Sequence, residues 1–197
     1  HVERPERIMA LYFRLTETNL IEKLTKIEVK EISEENIMVH SKLYLNKIND
    51  LVNKRIKGEV LPLEKGENTF SFNSTYENKW TPYCARLAAG GVIEVIDAVY
   101  SNLIQNGFCI VRPPGHHAHS SMASGFCFFN NVANGARYAQ KKYGAKKVVI
   151  FDWDVHFGDG TSEILLDDDT VLFISIHRYD HGKFYPASKS GSAKNIG

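Results

Sequence analysis

Lys147-Val-Val-Ile-Phe-Asp152-Trp-Asp154-Val-His156-Phe-Gly-Asp159-Gly160 is the stretch that decides the fold. Val148-Val-Ile-Phe151 is a short apolar, β-branched run with the character of a strand buried on both faces. Two carboxylates and an imidazole follow at 152, 154 and 156. Side chains two apart share a face of an extended chain, so these three are expected on one face and Trp153, Val155 and Phe157 on the other. Gly158-Asp-Gly160 breaks the run. An open α/β sheet places its site at such a carboxyl end. One oxygen and one nitrogen donor in Asp154 and His156 suit a divalent metal such as zinc. Taken alone, Asp-x-His is more readily a solvated acidic turn, with His156 satisfied by Asp154 or Asp159.

Two further apolar runs also end in histidines. Phe108-Cys-Ile-Val111 precedes Arg112-Pro-Pro-Gly-His116-His117-Ala-His119, and Val171-Leu-Phe-Ile-Ser175-Ile176 precedes His177-Arg-Tyr-Asp-His181. Helical patterns alternate with these runs. Thr81-Pro82 opens one as N-cap and N1, with Ala88, Val92, Val95, Ile96, Val99 and Leu103 on one face and Asn106-Gly107 as its stop. A small-residue helix follows Asn130-Asn131 and runs to Tyr143, and a short one covers 160–168. Upstream, Ile8, Leu11, Tyr12 and Leu15 mark a helix, Ile27–Ile32 alternates like a strand, Ser33 begins a short helix and Ser41 a longer one. Residues 54–80 read as a loop with a short strand at Thr69–Phe72. Three buried strands alternating with helices predict an α/β protein with a mostly parallel sheet and helices on both faces. Parallel strands with right-handed crossovers bring their carboxyl ends to one side, so the three polar clusters converge.

The 197 residues, 43% hydrophobic and 24% charged, are enough for a globular core. A net charge of +1 gives no bulk attraction for nucleic acid or acidic membrane. No run is long enough to span a bilayer and there is no signal-peptide pattern. Cys84, Cys109 and Cys127 are scattered and odd in number, as expected of free thiols in a reducing compartment. His1 rather than Met opens the sequence, so it is expected to begin inside something longer. Metal at Asp154 and His156, beside tandem histidines that each need a carboxylate to fix the tautomer, is the machinery of amide hydrolysis; Asp152 and Asp159 are available as those partners.

Arg112-Pro-Pro-Gly-His-His-Ala118, Gly125-Phe-Cys-Phe-Phe-Asn-Asn131, Asp152-Trp-Asp-Val-His156 with Gly158-Asp-Gly-Thr161, and Ser175-Ile-His-Arg-Tyr-Asp180 resemble the zinc-dependent histone deacetylases, with a class II flavour. His1-x-Glu-Arg-Pro-x-Arg-Ile8 and His40-Ser-Lys42 resemble the N-terminal part of the same family. The resemblance covers nearly all of residues 1–197 and implies one catalytic domain of the arginase/deacetylase fold, incomplete at its C-terminal end. It implies Asp154 and His156 as two of three zinc ligands, His116 and His117 as acid and base with His117 the base, and Asp152 and Asp159 as their partners. Gly125, Phe126 and Tyr185 match the wall of the acetyl-lysine tunnel. Asp152, Asp154, His156, Ser175 and Ile176 match a structural potassium site, and Asp168 falls near a second one. Arg7 matches an arginine of the internal cavity.

The implied reaction is hydrolysis of Nε-acetyl-lysine to lysine and acetate. Acetylated protein substrates, histone or other, and co-repressor proteins are the implied partners, in nucleus or cytoplasm, with no direct nucleic acid or membrane. Phe157 replaces a usual histidine and reads as a packing change. Tyr185 replaces a usual phenylalanine and adds a hydroxyl. The family's third ligand and its transition-state Tyr or His are expected beyond residue 197, so the fragment itself is expected to have little or no activity. Alternatives on the same scaffold are an acetylpolyamine amidohydrolase, a catalytically inactive binding module and, more distantly, a manganese ureohydrolase. His177 is expected behind the site, His119 at the surface, and His181 without a role.

Overall fold

A computed structural model of the chain describes residues 2–56, 75, 78 and 80–195, with the side chains of 51–56 left undescribed. The element order is α1 (Glu6–Glu17), α2 (Lys42–Ile56), α3 (Thr81–Tyr100), α4 (Asn131–Tyr143), β1 (Val148–Asp152), α5 (Asp159–Leu165) and β2 (Val171–Ser175), with short 3-10 turns at 21–23, 34–36, 180–182 and 189–191. β1 and β2 pair in parallel, Val148 opposite Val171 and Asp152 opposite Ser175, with α5 as the crossover between them. This register sets Asp152 beside Ser175 at the carboxyl edge of the sheet. Ile176 N–H then donates to Asp152 O at 2.9 Å, extending the pairing one step.

The cores explain which elements hold. Tyr44, Leu45 and Ile48 of α2 meet Ala85, Ala89 and Ile93 of α3, with Phe128, Phe129 and Tyr138 completing the cluster. Ser41 caps α2 by accepting the Tyr44 N–H at 3.2 Å. In α3, Gly90 lies so close to Lys30 that a Cβ would fall 1.8 Å from its carbonyl oxygen, which lets the 27–32 segment lie against the helix. Ile32 N–H bonds Arg86 O there at 3.0 Å. A second cluster joins Ala133 and Ala136 of α4, Leu165 of α5, and Val148, Ile150 and Val171 of the strands.

Asn130 is the joint between these layers. Its Oδ1 caps α4 by accepting Ala133 N–H at 3.2 Å. Its Nδ2 donates to Ala118 O at 3.2 Å and Thr161 Oγ1 at 3.0 Å, and its N–H donates to His40 Nε2 at 2.9 Å. Gly144, with φ of +69°, ends α4 in the left-handed region.

Several expectations need correction. Residues 108–111 form no strand; Phe108 is 73% exposed. The sheet of the described residues therefore has two strands, and 27–32 is extended without pairing as a strand. Helices cover one face of β1 and β2, because Val149 (62% exposed) and Phe151 on the other face are open. β1 is thus not buried on both faces, and helices on both faces of the sheet are not found among the described residues. α3 stops at Tyr100, seven residues before Gly107, and Asn102 just beyond it adopts φ of +59°. None of the apolar side chains of α1 is buried. The 69–72 strand lies outside the described residues. All three cysteines are free thiols.

Candidate active site

β1 ends at Asp152 and the chain bends, with Asp154 N–H returning to Asp152 Oδ1 at 3.0 Å. The other oxygen, Oδ2, accepts the Nδ1–H of His116 at 2.8 Å. The next histidine pairs separately: His117 Nδ1–H donates to Asp159 Oδ1 at 2.7 Å. The two rings lie 4.1 Å apart at an interplanar angle of 48°. An ionised carboxylate can only accept, so each Nδ1 carries its hydrogen and each Nε2 is left as the working nitrogen.

Small residues permit this closeness. A Cβ on Gly158 would meet Asp152 Oδ2 at 2.7 Å and His116 Nδ1 at 3.2 Å. One on Gly160 would meet Ala118 O at 2.3 Å, and one on Gly125, already at φ of +48°, would meet His117 Cδ2 at 2.4 Å.

The two imidazoles sit in different fields. Burial pushes His116 down, but the Asp152 hydrogen bond and the charges of Asp152, Asp154 and Asp159 outweigh it, and the ring holds a proton more tightly than usual. Burial also pushes His117 down. There the repulsion of His116 and His156 adds to it, the Asp159 bond does not fully compensate, and the ring stays neutral. Burial raises Asp159, but hydrogen bonds from His117 and His119 dominate and hold it at about 2. One ring is therefore set to carry a proton and its neighbour to accept one.

Asp154 and His156 lie together, Oδ1 to Nδ1 at 3.0 Å, and both are partly exposed. His116 Nε2 lies 4.0 Å from Asp154 Oδ1. These are donors of the kind zinc takes, yet among the described residues no group of three His, Cys, Asp or Glu side chains is placed to hold a metal ion. Their chemistry fits; their number is one short of the usual three protein ligands.

The aromatic residues gather on the histidines. Tyr185 stands edge-on to His117 with centroids 5.0 Å apart and to His156 at 5.9 Å. Its hydroxyl is within 3.1 Å of Ser124 Oγ, so the group it adds is tied to the wall. Phe126 follows Gly125 with φ of +69° and is half-buried. Phe184 stacks on His156 at 5.1 Å and 10°, and the Arg178 guanidinium lies over its ring, 4.4 Å from the centroid. Sequence reasoning missed Phe184, whose signal was only its place in an aromatic pair beside Tyr185.

Phe157 is buried against Phe173 and against His177, 4.8 Å away, and so faces away from the donors as its position suggests. Trp153 and Val155 do not share that burial, because regular alternation ends at Asp152. His177 joins Ser175 Oγ to Gly191 O, both at 2.8 Å, and sits behind the site as a strut. Arg7 bonds Val111 O at 2.8 Å and pairs with Glu3, which Arg112 also holds, bracing the turn that carries His116. Asp168 is engaged by Arg137 and by Thr170 N–H. His119 is not a surface residue: its side chain is 18% exposed and meets Asp159.

His40 supports the same loop. Its Nδ1–H donates to His119 O and its Nε2 accepts Asn130 N–H, both at 2.9 Å. Burial penalises the charged ring more than its backbone hydrogen bonds and Glu163 favour it, so the folded ring titrates at about 4 instead of 6.5. The unfolded state binds more protons between those values, so stability falls on acidification there. Relative to His40→Gln, the wild type is expected to lose about 3 kcal/mol between pH 6.5 and 4 in urea unfolding. Parallel curves for the two proteins would refute this.

A family model described as the histone deacetylase domain matches residues 1–197. The chain is 39% identical over 197 residues to polyamine deacetylase HDAC10 of Homo sapiens, across 100% of this chain and 29% of that protein. It is 40% identical over 201 residues to histone deacetylase 6 of Caenorhabditis elegans, across 100% of this chain and 20% of that protein. The crystal structure of the HDA15 HD domain matches with a TM-score of 0.87 and 38% identity, over 100% of this chain and 54% of that one. The chain thus spans under a third of these two curated relatives. With a family match along its whole length and the paired histidine–aspartate geometry in place, the chain belongs to the histone deacetylase family.

Proposed function

We propose that the protein carrying this chain is a zinc-dependent deacetylase that hydrolyses Nε-acetyl-lysine in proteins to lysine and acetate. The observation that carries this reading is the tandem His116–His117, each with its own carboxylate, beside Asp154 and His156. Asp154 and His156 would hold the zinc. Bound zinc polarises the amide carbonyl and acidifies water at the site. His117 takes a proton at Nε2, and Asp159 steadies the imidazolium that results. His116 keeps its proton against Asp152 and delivers one to the leaving amine. Tyr185, Phe126 and Gly125 flank the aliphatic stem, whose methylenes need apolar contact and no charge partner. A structural potassium at Asp152, Asp154, His156, Ser175 and Ile176, held mainly by main-chain carbonyls, belongs to the same proposal. So do acetylated histones or other proteins as substrates, co-repressor partners, and a nuclear or cytoplasmic place.

A second reading, removal of acetyl groups from polyamines, is supported by the name of the human relative at 39% identity. Both substrates end in an acetylated primary amine on a methylene chain, so the same four polar groups serve either. The deciding experiment gives the full-length protein an acetyl-lysine peptide and an N-acetylated polyamine in parallel, with zinc measured by mass spectrometry. Peptide cleavage with one zinc per chain, both lost in Asp154→Asn, is expected. Cleavage of the polyamine alone installs the second reading. Zinc without cleavage of either, or no zinc, leaves a binding module instead of an enzyme.

A further inference from the structure

His119 is a second imidazole on the carboxylate that holds His117, outside every role assigned above. Asp159 gives Oδ1 to His117 at 2.7 Å, and its Oδ2 lies 3.3 Å from His119 Nε2. The other nitrogen of that ring, Nδ1, pairs with Glu163 Oε2. Glu163 is itself fixed, since its Oε1 accepts the Ser120 Oγ–H at 2.7 Å and the Ser120 N–H at 3.3 Å. The backbone of His119 is held as well: its N–H donates to Met122 O at 2.9 Å and its carbonyl accepts from His40 Nδ1 at 2.9 Å.

The protonation state follows from what these partners can do. Ionised carboxylates accept and never donate, so a ring with one on each nitrogen must donate from both. Only the imidazolium can. The groups facing it agree: Asp159 and Glu163 from α5 are anionic, His117 ahead of it in the loop is neutral, and His40 reaches it only through the backbone carbonyl. The hydrogen bonds to Asp159 and Glu163 and their charges raise His119 against the opposing effect of burial.

We propose that His119 is a positioning residue: an imidazolium held between Asp159 and Glu163, which grips the second oxygen of Asp159 and so keeps the first aligned on His117. A carboxylate held at one oxygen can swing about its Cβ–Cγ bond; one held at both cannot. The cation also offsets part of the Asp159 charge, which leaves His117 free to be a neutral base. This inference rests on the reading of His117 as the base.

The test is nitrogen and proton NMR on full-length protein labelled with ¹⁵N at histidine, for wild type, His119→Gln and His119→Arg. In wild type both His119 nitrogens are expected to be protonated at pH 7, and the His117 Nδ1 proton to resonate far downfield. His119→Gln is expected to shift or broaden that His117 proton and lower kcat about 10-fold with KM within about twofold. His119→Arg, which keeps charge and donors, is expected to restore both. A neutral His119 ring at pH 7, or a His117 resonance that His119→Gln leaves in place, overturns the proposal. If wild type hydrolyses no acetylated substrate, the functional reading fails while the two resonances still decide the state and role of His119.

Discussion

On the function proposed above, replacing His117 with alanine in the full-length protein is expected to lower kcat for acetyl-lysine hydrolysis about 10³-fold without loss of zinc. Zinc content is expected to be unchanged because His117 bonds Asp159 and not the proposed donor pair Asp154 and His156. The loss is large because no other group replaces it. His116 holds its proton more tightly than an ordinary imidazole, and His119 is turned toward Asp159 and Glu163. His117, in contrast, is neutral, with Nδ1–H committed and Nε2 open. His116→Ala removes the proton donor and is expected to cost less with an activated leaving group, where a donor is hardly needed. Stopped-time product assays across both variants check this, and a His117→Ala protein within 10-fold of wild type would sink the base assignment.

A large effect on stability is expected at Gly160. A methyl there meets Ala118 O at 2.3 Å, Ala118 C at 2.6 Å and His117 C at 2.7 Å. All three atoms are backbone, so no rotamer change relieves the clash, and α5 and the histidine loop must separate. Gly160→Ala is expected to cost about 3 kcal/mol or more in denaturant unfolding. Gly144→Ala is the control, since its Cβ meets nothing within 4 Å and only its φ of +69° is unfavourable. That costs about 1–2 kcal/mol. Equal losses at the two positions would mean that the close approach at Gly160 is not what constrains it.

What could be read along the chain was local. β1, β2, α4 and the start of α3 carry their own signals: β-branched runs, an Asn cap, a Thr-Pro opening. The Gly-Asp-Gly break and the spacing of 152 and 159 put two carboxylates within reach of the tandem histidines, and the fold pairs His116 with Asp152 and His117 with Asp159. The 108–111 run failed because an apolar tetrapeptide does not reveal whether a neighbouring strand exists, and among the described residues none pairs with it. His40 and His119 were misjudged or passed over for a related reason. Their partners lie 90 and 44 residues away at Asn130 and Glu163, a distance no periodicity spans. Tyr185 lies against His117 and His156, yet only the fold shows that its hydroxyl meets Ser124.

Asn130 ties α4, the histidine loop and α5 through bonds that are buried at every point. Breaking one of them exposes no single element to water; the three must part together. The amide protons of Asn130, Ala133 and Thr161 should therefore exchange with deuterium at the slowest rate the molecule shows, set by complete unfolding and not by local opening. The floor beneath the two histidines is then expected to open only when the whole molecule unfolds.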